Sequence, residues 1–147
     1  MNMPYHYTES GLDNVYLYNI SVMQDVAGEE TICIPHINQL HKVIATALLQ
    51  KKGELTGKEI RFLRTNALLS QAELAKLIGK DGQTVGRWER GECPLDQSMD
   101  MLVRLAILQT MNMPLNFAQV SRLSSQKPAN DNINIDGSNQ QYKLMTA

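Results

Sequence analysis

Apolar positions along the chain change period, and each change marks a different kind of element. From Val15 to Met23 they alternate, with Tyr16, Tyr18, Ile20 and Val22 on one face, and after a turn at Ala27-Gly28-Glu29 the run Thr31 to Ile34 is β-branched again. The two runs read as a β-hairpin. An isolated hairpin is marginal in water, so it has to pack on a helix, extend a sheet or pair with a second copy of itself. Beyond the strand-breaking Pro35, Asn38 can cap a helix whose Leu40, Val43, Ile44, Ala47 and Leu48 form a helical stripe ending at Gly53. Thr56 and Glu59 have capping-box spacing and open a helix that carries Ile60, Leu63 and Ala67 inward. Ser70 and Glu73 repeat that spacing ahead of a helix that starts at Gln71, turns Leu74, Ala75 and Ile78 inward, and ends at a left-handed Gly79. Asp81 caps the next helix, with Val85 and Trp88 on one face, Gln83, Thr84, Arg87 and Arg90 on the others, and Gly91 at its end. After Pro94 a longer helix from about Asp96 to Met111 sets Met99, Leu102, Val103, Ala106 and Leu108 against a core; Pro114 stops it, and a short helix runs from Leu115 to Leu123. Residues 1–14 are polar and turn-rich, with Tyr5-His6-Tyr7 able to pin the segment to a neighbour.

These patterns predict a mainly α fold: an N-terminal arm and β-hairpin at 1–37, a connecting helix at 38–53, a helix-turn-helix domain at 54–123, and a tail at 124–147. The tail turns to Asn, Gln, Ser, Asp and Lys without a usable period and reads as flexible, with a strand at Ile133 and Ile135 on a partner as the minor outcome. At 147 residues and 43% apolar side chains the chain suffices for one core with appendages. A net charge of −1 excludes a uniformly basic coat, yet residues 51–91 hold nine Lys and Arg against five Asp and Glu, whereas residues 1–50 sum to −4. Attraction to phosphate acts within a Debye length of about 8 Å, so the local excess is the relevant quantity. By itself such a block only solvates helix surfaces; laid over the helix-turn-helix it points to a polyanion.

Cys33 and Cys93 are far apart and lack Cys-x-x-Cys spacing, so neither a disulfide scaffold nor a zinc knuckle is expected, and both read as small apolar side chains. No leader pattern is visible, and the apolar stretch from Met101 to Leu108 is short and interrupted by Arg104, which predicts a cytoplasmic protein without a membrane partner, at the nucleoid when bound to DNA. His36 and His41 would lie about 140° apart around a helix, and His6 is remote from both in sequence. No catalytic or metal-binding set can be assembled from them, so no enzyme activity, metal or cofactor is expected.

Gln83 and Arg87, four apart on the second motif helix, project from one face near its N-terminal half. Gln pairs bidentately with adenine and Arg with guanine, which makes these two the expected base readers. Gln71 begins the first motif helix, where an outward N–H at the positive end of the helix dipole can hold a phosphate. Thr84, Lys58, Arg61, Lys76, Lys80 and Arg90 are the further DNA-backbone candidates, although long cationic side chains also populate every helix exterior. Trp88 reads as a core anchor. Gly86 costs about 1 kcal/mol relative to Ala inside a helix. It is either a device for a deeper seat in the groove or a tolerated weak position.

The pattern Gln71-x-x-Leu74-Ala75-x3-Gly79, followed by Thr84-Val85 and Trp88-Glu89-x-Gly91, resembles the Xre family, which includes lambdoid phage repressors, over about Leu55 to Gln109. The resemblance implies a five-helix DNA-binding domain in which the positions of Gly82, Gln83 and Arg87 contact bases; Gly82 has no side chain to do so. It implies that Gln71 orders a phosphate and braces a neighbouring base reader, and that Arg64 pairs with Glu89 as a structural couple. A homodimeric repressor on an inverted repeat of double-stranded DNA follows from it, dimerised through the hairpin, through the helix near Met99 to Met111, or through both. The run Thr56-Gly57-Lys58-Glu59-Ile60-Arg61-Phe62-Leu63-Arg64 is also similar to the DNA-binding half of MqsA-like antitoxins. Their N-terminal zinc domain has no counterpart here. That second likeness implies a toxin protein as an alternative partner, neutralised by a chain that also represses its own operon.

Overall fold

Two stretches remote in sequence meet as neighbouring strands. The computed structural model describes residues 3–24, 26–128 and 132–145. In chain order the elements are β1 (Tyr5–His6), β2 (Val15–Tyr18), β3 (Ser21–Gln24), β4 (Glu30–Cys33), α1 (Ile37–Leu49), α2 (Gly57–Asn66), α3 (Gln71–Leu77), α4 (Gly82–Glu89), α5 (Gln97–Thr110), α6 (Phe117–Ser125), β5 (Ile133–Asp136) and β6 (Lys143–Leu144), with short 3-10 turns at Thr8–Ser10 and Ser138–Gln140. They form two compact units, one of residues 1–44 with 131–147, the other of residues 45–130.

In the first unit a sheet of order β1-β2-β5-β6 has β2 and β5 parallel, in register from Val15 opposite Ile133 to Tyr18 opposite Asp136, and its outer pairs antiparallel. Val15, Leu17 and Ile135 are fully buried, so the inward face is the one opposite Tyr16 and Tyr18. Tyr7 and Tyr142 are buried beside them in sequence-distant positions, with hydroxyls bonded to His41 Nε2 at 2.8 Å and to the carbonyl of Pro35. Burial holds the His41 imidazole below its ordinary pKa.

Three expectations are corrected here. The hairpin is shorter than the alternation implied: Asn19 takes a left-handed φ of 59° and donates its side-chain N–H to Asp136 Oδ1 at 3.1 Å, so β2 stays in the larger sheet and only β3 pairs with β4, Ser21 opposite Cys33 and Gln24 opposite Glu30. The segment expected to be a flexible tail supplies β5 and β6, because Ile135 fills a buried place beside Leu17 along a parallel ladder; the parts of that expectation at 129–131 and 146–147 lie outside the described residues. Helix α1 begins at Ile37 rather than after an Asn38 cap, since the carbonyl of His36 accepts from the N–H groups of Gln39 and Leu40 at 3.0 and 3.2 Å and closes the first turn.

The second unit packs α2 to α6 around Ile60, Leu63, Leu74, Val85, Val103, Ile107 and Val120, with Leu48 and Leu49 from the end of α1 buried in the same unit. On α5 the inward set differs from the expected one. Leu102 is 39% exposed, Ile107 is fully buried, and Arg104, taken as a break in an apolar run, is fully buried as well. Its guanidinium donates to the carbonyls of Lys51, at 2.7 Å, and Gly53, while Nε lies 3.0 Å from Asp100 Oδ2. Asp100 in turn accepts from the N–H of Leu55 at 2.7 Å and from the Ser124 hydroxyl. A buried charge persists only when paired and hydrogen-bonded, and these bonds tie α5 to α6 and to the loop ahead of α2. Ala67 is the half-buried C-cap of α2 rather than an interior residue, and α6 starts at Phe117 because Asn116 caps it, Oδ1 accepting from the N–H of Gln119 at 3.0 Å. No helix among the described residues is long and apolar enough to cross a membrane.

Candidate nucleic-acid interface

Local hydrogen bonds fix the geometry of α3 and α4. The Ser70 hydroxyl accepts from the N–H of Glu73 at 3.0 Å and the Glu73 carboxylate accepts from the N–H of Ser70 at 2.9 Å, a complete capping box. Hydrogen bonding from the Ser70 N–H, and then from the Ser70 hydroxyl, holds the Glu73 carboxyl below its usual pKa. At the other end of α3, Gly79 takes a φ of 73° and the N–H of Lys80 reaches the carbonyl of Ala75 at 2.8 Å, so the chain reverses within a few residues. Asp81 then caps α4, its Oδ1 accepting from the N–H and the hydroxyl of Thr84 at 2.8 and 2.9 Å, which lowers the Asp81 pKa. The Thr84 hydroxyl, expected to meet a phosphate, thus donates to the cap at the start of α4.

Close backbone approach holds α4 at both ends. A Cβ at Gly82 would lie 3.3 Å from the backbone of Ala72, and one at Gly57 would lie 2.3 Å from the carbonyl oxygen of Trp88. Side chains as large as a methyl group are thus excluded where α2 meets the C-terminal end of α4. Trp88 and Val85 are buried beneath α4. Beside Trp88, Arg64 grips Glu89 with two nitrogens, Nε to Oε2 at 2.6 Å and Nη2 to Oε1 at 3.0 Å, and donates through Nη1 to the carbonyl of Leu69 at 2.9 Å. The Gln71 amide donates to the same Glu89 Oε1 at 3.1 Å. Arg64, Glu89 and Gln71 form one network that links α2, α3 and α4.

On the opposite side Gln83 and Arg87 are exposed. An open cleft of about 820 Å³ lies along this side, bounded by Gln71, Asp81, Gln83, Gly86, Arg87 and Arg90. The structure thus brings Gln71, Gln83, Arg87 and Arg90 to one concavity. Lys58 and Arg61 are exposed on α2, Lys76 on α3 and Lys80 in the turn, all outside that lining. Gly86 is buried, and a Cβ there would lie 3.0 Å from Arg90 Nη1 and 3.4 Å from Gln71 Oε1. Sequence reasoning also missed Glu92, whose carboxylate pairs with Arg90 Nε; their spacing of two residues was the only available signal. Cys93, expected as a small apolar side chain, is exposed, and Cys33 is partly so. Among the described residues no group of three His, Cys, Asp or Glu side chains is placed to hold a metal ion.

Residues 60–108 match the helix-turn-helix family model. That segment runs from within α2 to within α5 and contains the whole of α3 and α4, so the element pair around the cleft is the part of the chain that is similar to a helix-turn-helix. No curated protein and no solved structure matches the chain.

Proposed function

We propose that this protein is a sequence-specific transcription regulator, a homodimeric repressor that binds an inverted-repeat operator in double-stranded DNA and acts in the cytoplasm, at the nucleoid when bound. The observation that carries the reading is the outward side of α4, where exposed Gln83 and Arg87 border a cleft at the start of α3 while Val85 and Trp88 anchor the helix from beneath. In this reading α2 to α6 are the five helices of an Xre-type domain. Helix α4 enters the major groove, Gln83 takes an adenine edge and Arg87 a guanine edge. Gln71, Lys58, Arg61, Lys76 and Lys80 meet phosphates, in keeping with the +4 balance of residues 51–91. Two copies place two such helices in successive major grooves about 34 Å apart on one side of the duplex.

Selection of bound duplexes from a random pool, followed by footprinting, tests the proposal. An enriched inverted repeat, with half-sites one helical turn apart and protection on one face, is the expected result. Recovery of no duplex at low ionic strength rejects it.

A further inference from the structure

Arg90 was placed by its charge on the DNA backbone, but its surroundings fit a different task. It is the C-cap of α4, one turn beyond Gly86, and its side chain runs back toward the helix N-terminus, as helical side chains do. Gly86 leaves that space open: a Cβ at that position would lie 3.0 Å from Arg90 Nη1, so with alanine there the guanidinium has to give by a few tenths of an ångström. Glu92 pairs with Arg90 Nε, which leaves the terminal Nη1 and Nη2 nitrogens outside that pair. Arg90 lines the same cleft as Gln83 and Arg87. Gly82 lines that cleft too and offers no side chain there.

We propose that Arg90, laid over Gly86 and oriented by Glu92, is a third specificity-determining residue that presents Nη1 and Nη2 to a guanine edge. The pair of terminal nitrogens matches the O6 and N7 acceptors of guanine in the major groove. Gly86 is the positioning residue: its small size sets where the Arg90 fork lies and also clears the Gln71 amide, whose Oε1 would be 3.4 Å from an added Cβ. The assignment rests on the DNA-binding reading above and sharpens it, since a phosphate contact and a base contact have different signatures. Losing a phosphate contact weakens every sequence alike and lowers the salt dependence by about one unit of slope. Losing a base contact weakens the preferred sequence and relaxes one position.

The test compares the full-length wild-type protein with Arg90→Ala, Gly86→Ala and the double variant, each measured by selection from a random duplex pool, by titration of the selected operator across a salt series, and by thermal melting. Arg90→Ala is expected to lose preference for guanine at one base pair per half-site that Gln83→Ala and Arg87→Ala leave intact, with operator affinity down about 5- to 150-fold and the salt slope nearly unchanged. Gly86→Ala is expected to melt higher than wild type, because alanine is the better helix former, and yet to lose the same base preference. At that base pair the double variant is expected to match Arg90→Ala alone. Uniform weakening of all sequences by Arg90→Ala with a lower salt slope overturns the assignment in favour of a phosphate contact. Unchanged selectivity in both single variants overturns it while the wild-type selection leaves the DNA-binding reading standing. A wild-type protein that retains no duplex overturns both.

Discussion

Glu89 accepts from two side chains with different duties: Arg64, which is nearly buried, and Gln71, which borders the cleft. Removing Arg64 would strand a carboxylate that is only 5% exposed. Arg64→Met is therefore expected to cost about 3 to 5 kcal/mol in urea unfolding, the range for breaking one side of a buried pair. A loss below about 1 kcal/mol would show the pair to be energetically like a surface one. Across the helix the reasoning reverses, because Gln83 and Arg87 are exposed and their loss leaves nothing unsatisfied inside the protein. Gln83→Ala and Arg87→Ala are expected to leave the melting temperature nearly unchanged while weakening operator binding by about 1 to 3 kcal/mol each and relaxing one base pair per half-site. A drop in stability with no change in selectivity would move these residues from recognition to scaffolding.

Elements whose start and stop signals lie within one helical turn were legible in the sequence. The capping boxes of Thr56 with Glu59 and Ser70 with Glu73, and the Asp81 cap, all close between residues three apart, so spacing alone identifies them. The start of α6 was misjudged because the Asn116 cap stands just after the apolar Leu115, and the start of α1 because a carbonyl, which every residue has, closes its first turn. The Asp81 cap also predicts a pH dependence. Hydrogen bonds from Thr84 lower its pKa from an ordinary 3.8, so the cap stabilises α4 fully above that pH and loses its contribution as pH falls through the lowered folded value. Protection of the Thr84 amide, its exchange measured against the intrinsic rate at each pH, is expected to fall on acidification in that window, and Asp81→Asn to remove that dependence. Equal acid sensitivity in the variant would assign the effect to another carboxylate.

On the scale of the whole molecule, what sequence reasoning missed is what requires partners distant along the chain. Asn19 and Asp136 are 117 residues apart, and nothing local in a polar run announces that Ile135 will fill a core beside Leu17. Arg104 was misread for the same reason: a cation in an apolar stretch looks like an interruption until the carbonyls of Lys51 and Gly53 and the carboxylate of Asp100 are seen around it. These two features lie in different compact units, each with its own buried residues, and so they make separable predictions. Truncating fully buried Ile135 opens a cavity under the buried face of the sheet, a change that costs about 2 to 5 kcal/mol for Ile→Ala. Leu17 is the natural place to observe it. Ile135→Ala is expected to accelerate amide exchange in β2, at Leu17 above all, while Val85 and Trp88 in α4 keep their protection and the operator is still bound. Arg104→Met leaves Asp100 buried with its charge uncompensated and is expected to do the reverse, lowering protection in α4 and α5 before that of Leu17. If both variants instead loosen both regions in step, the two units unfold as one cooperative body, and the strands formed by the last part of the chain then contribute to the stability of α4 itself.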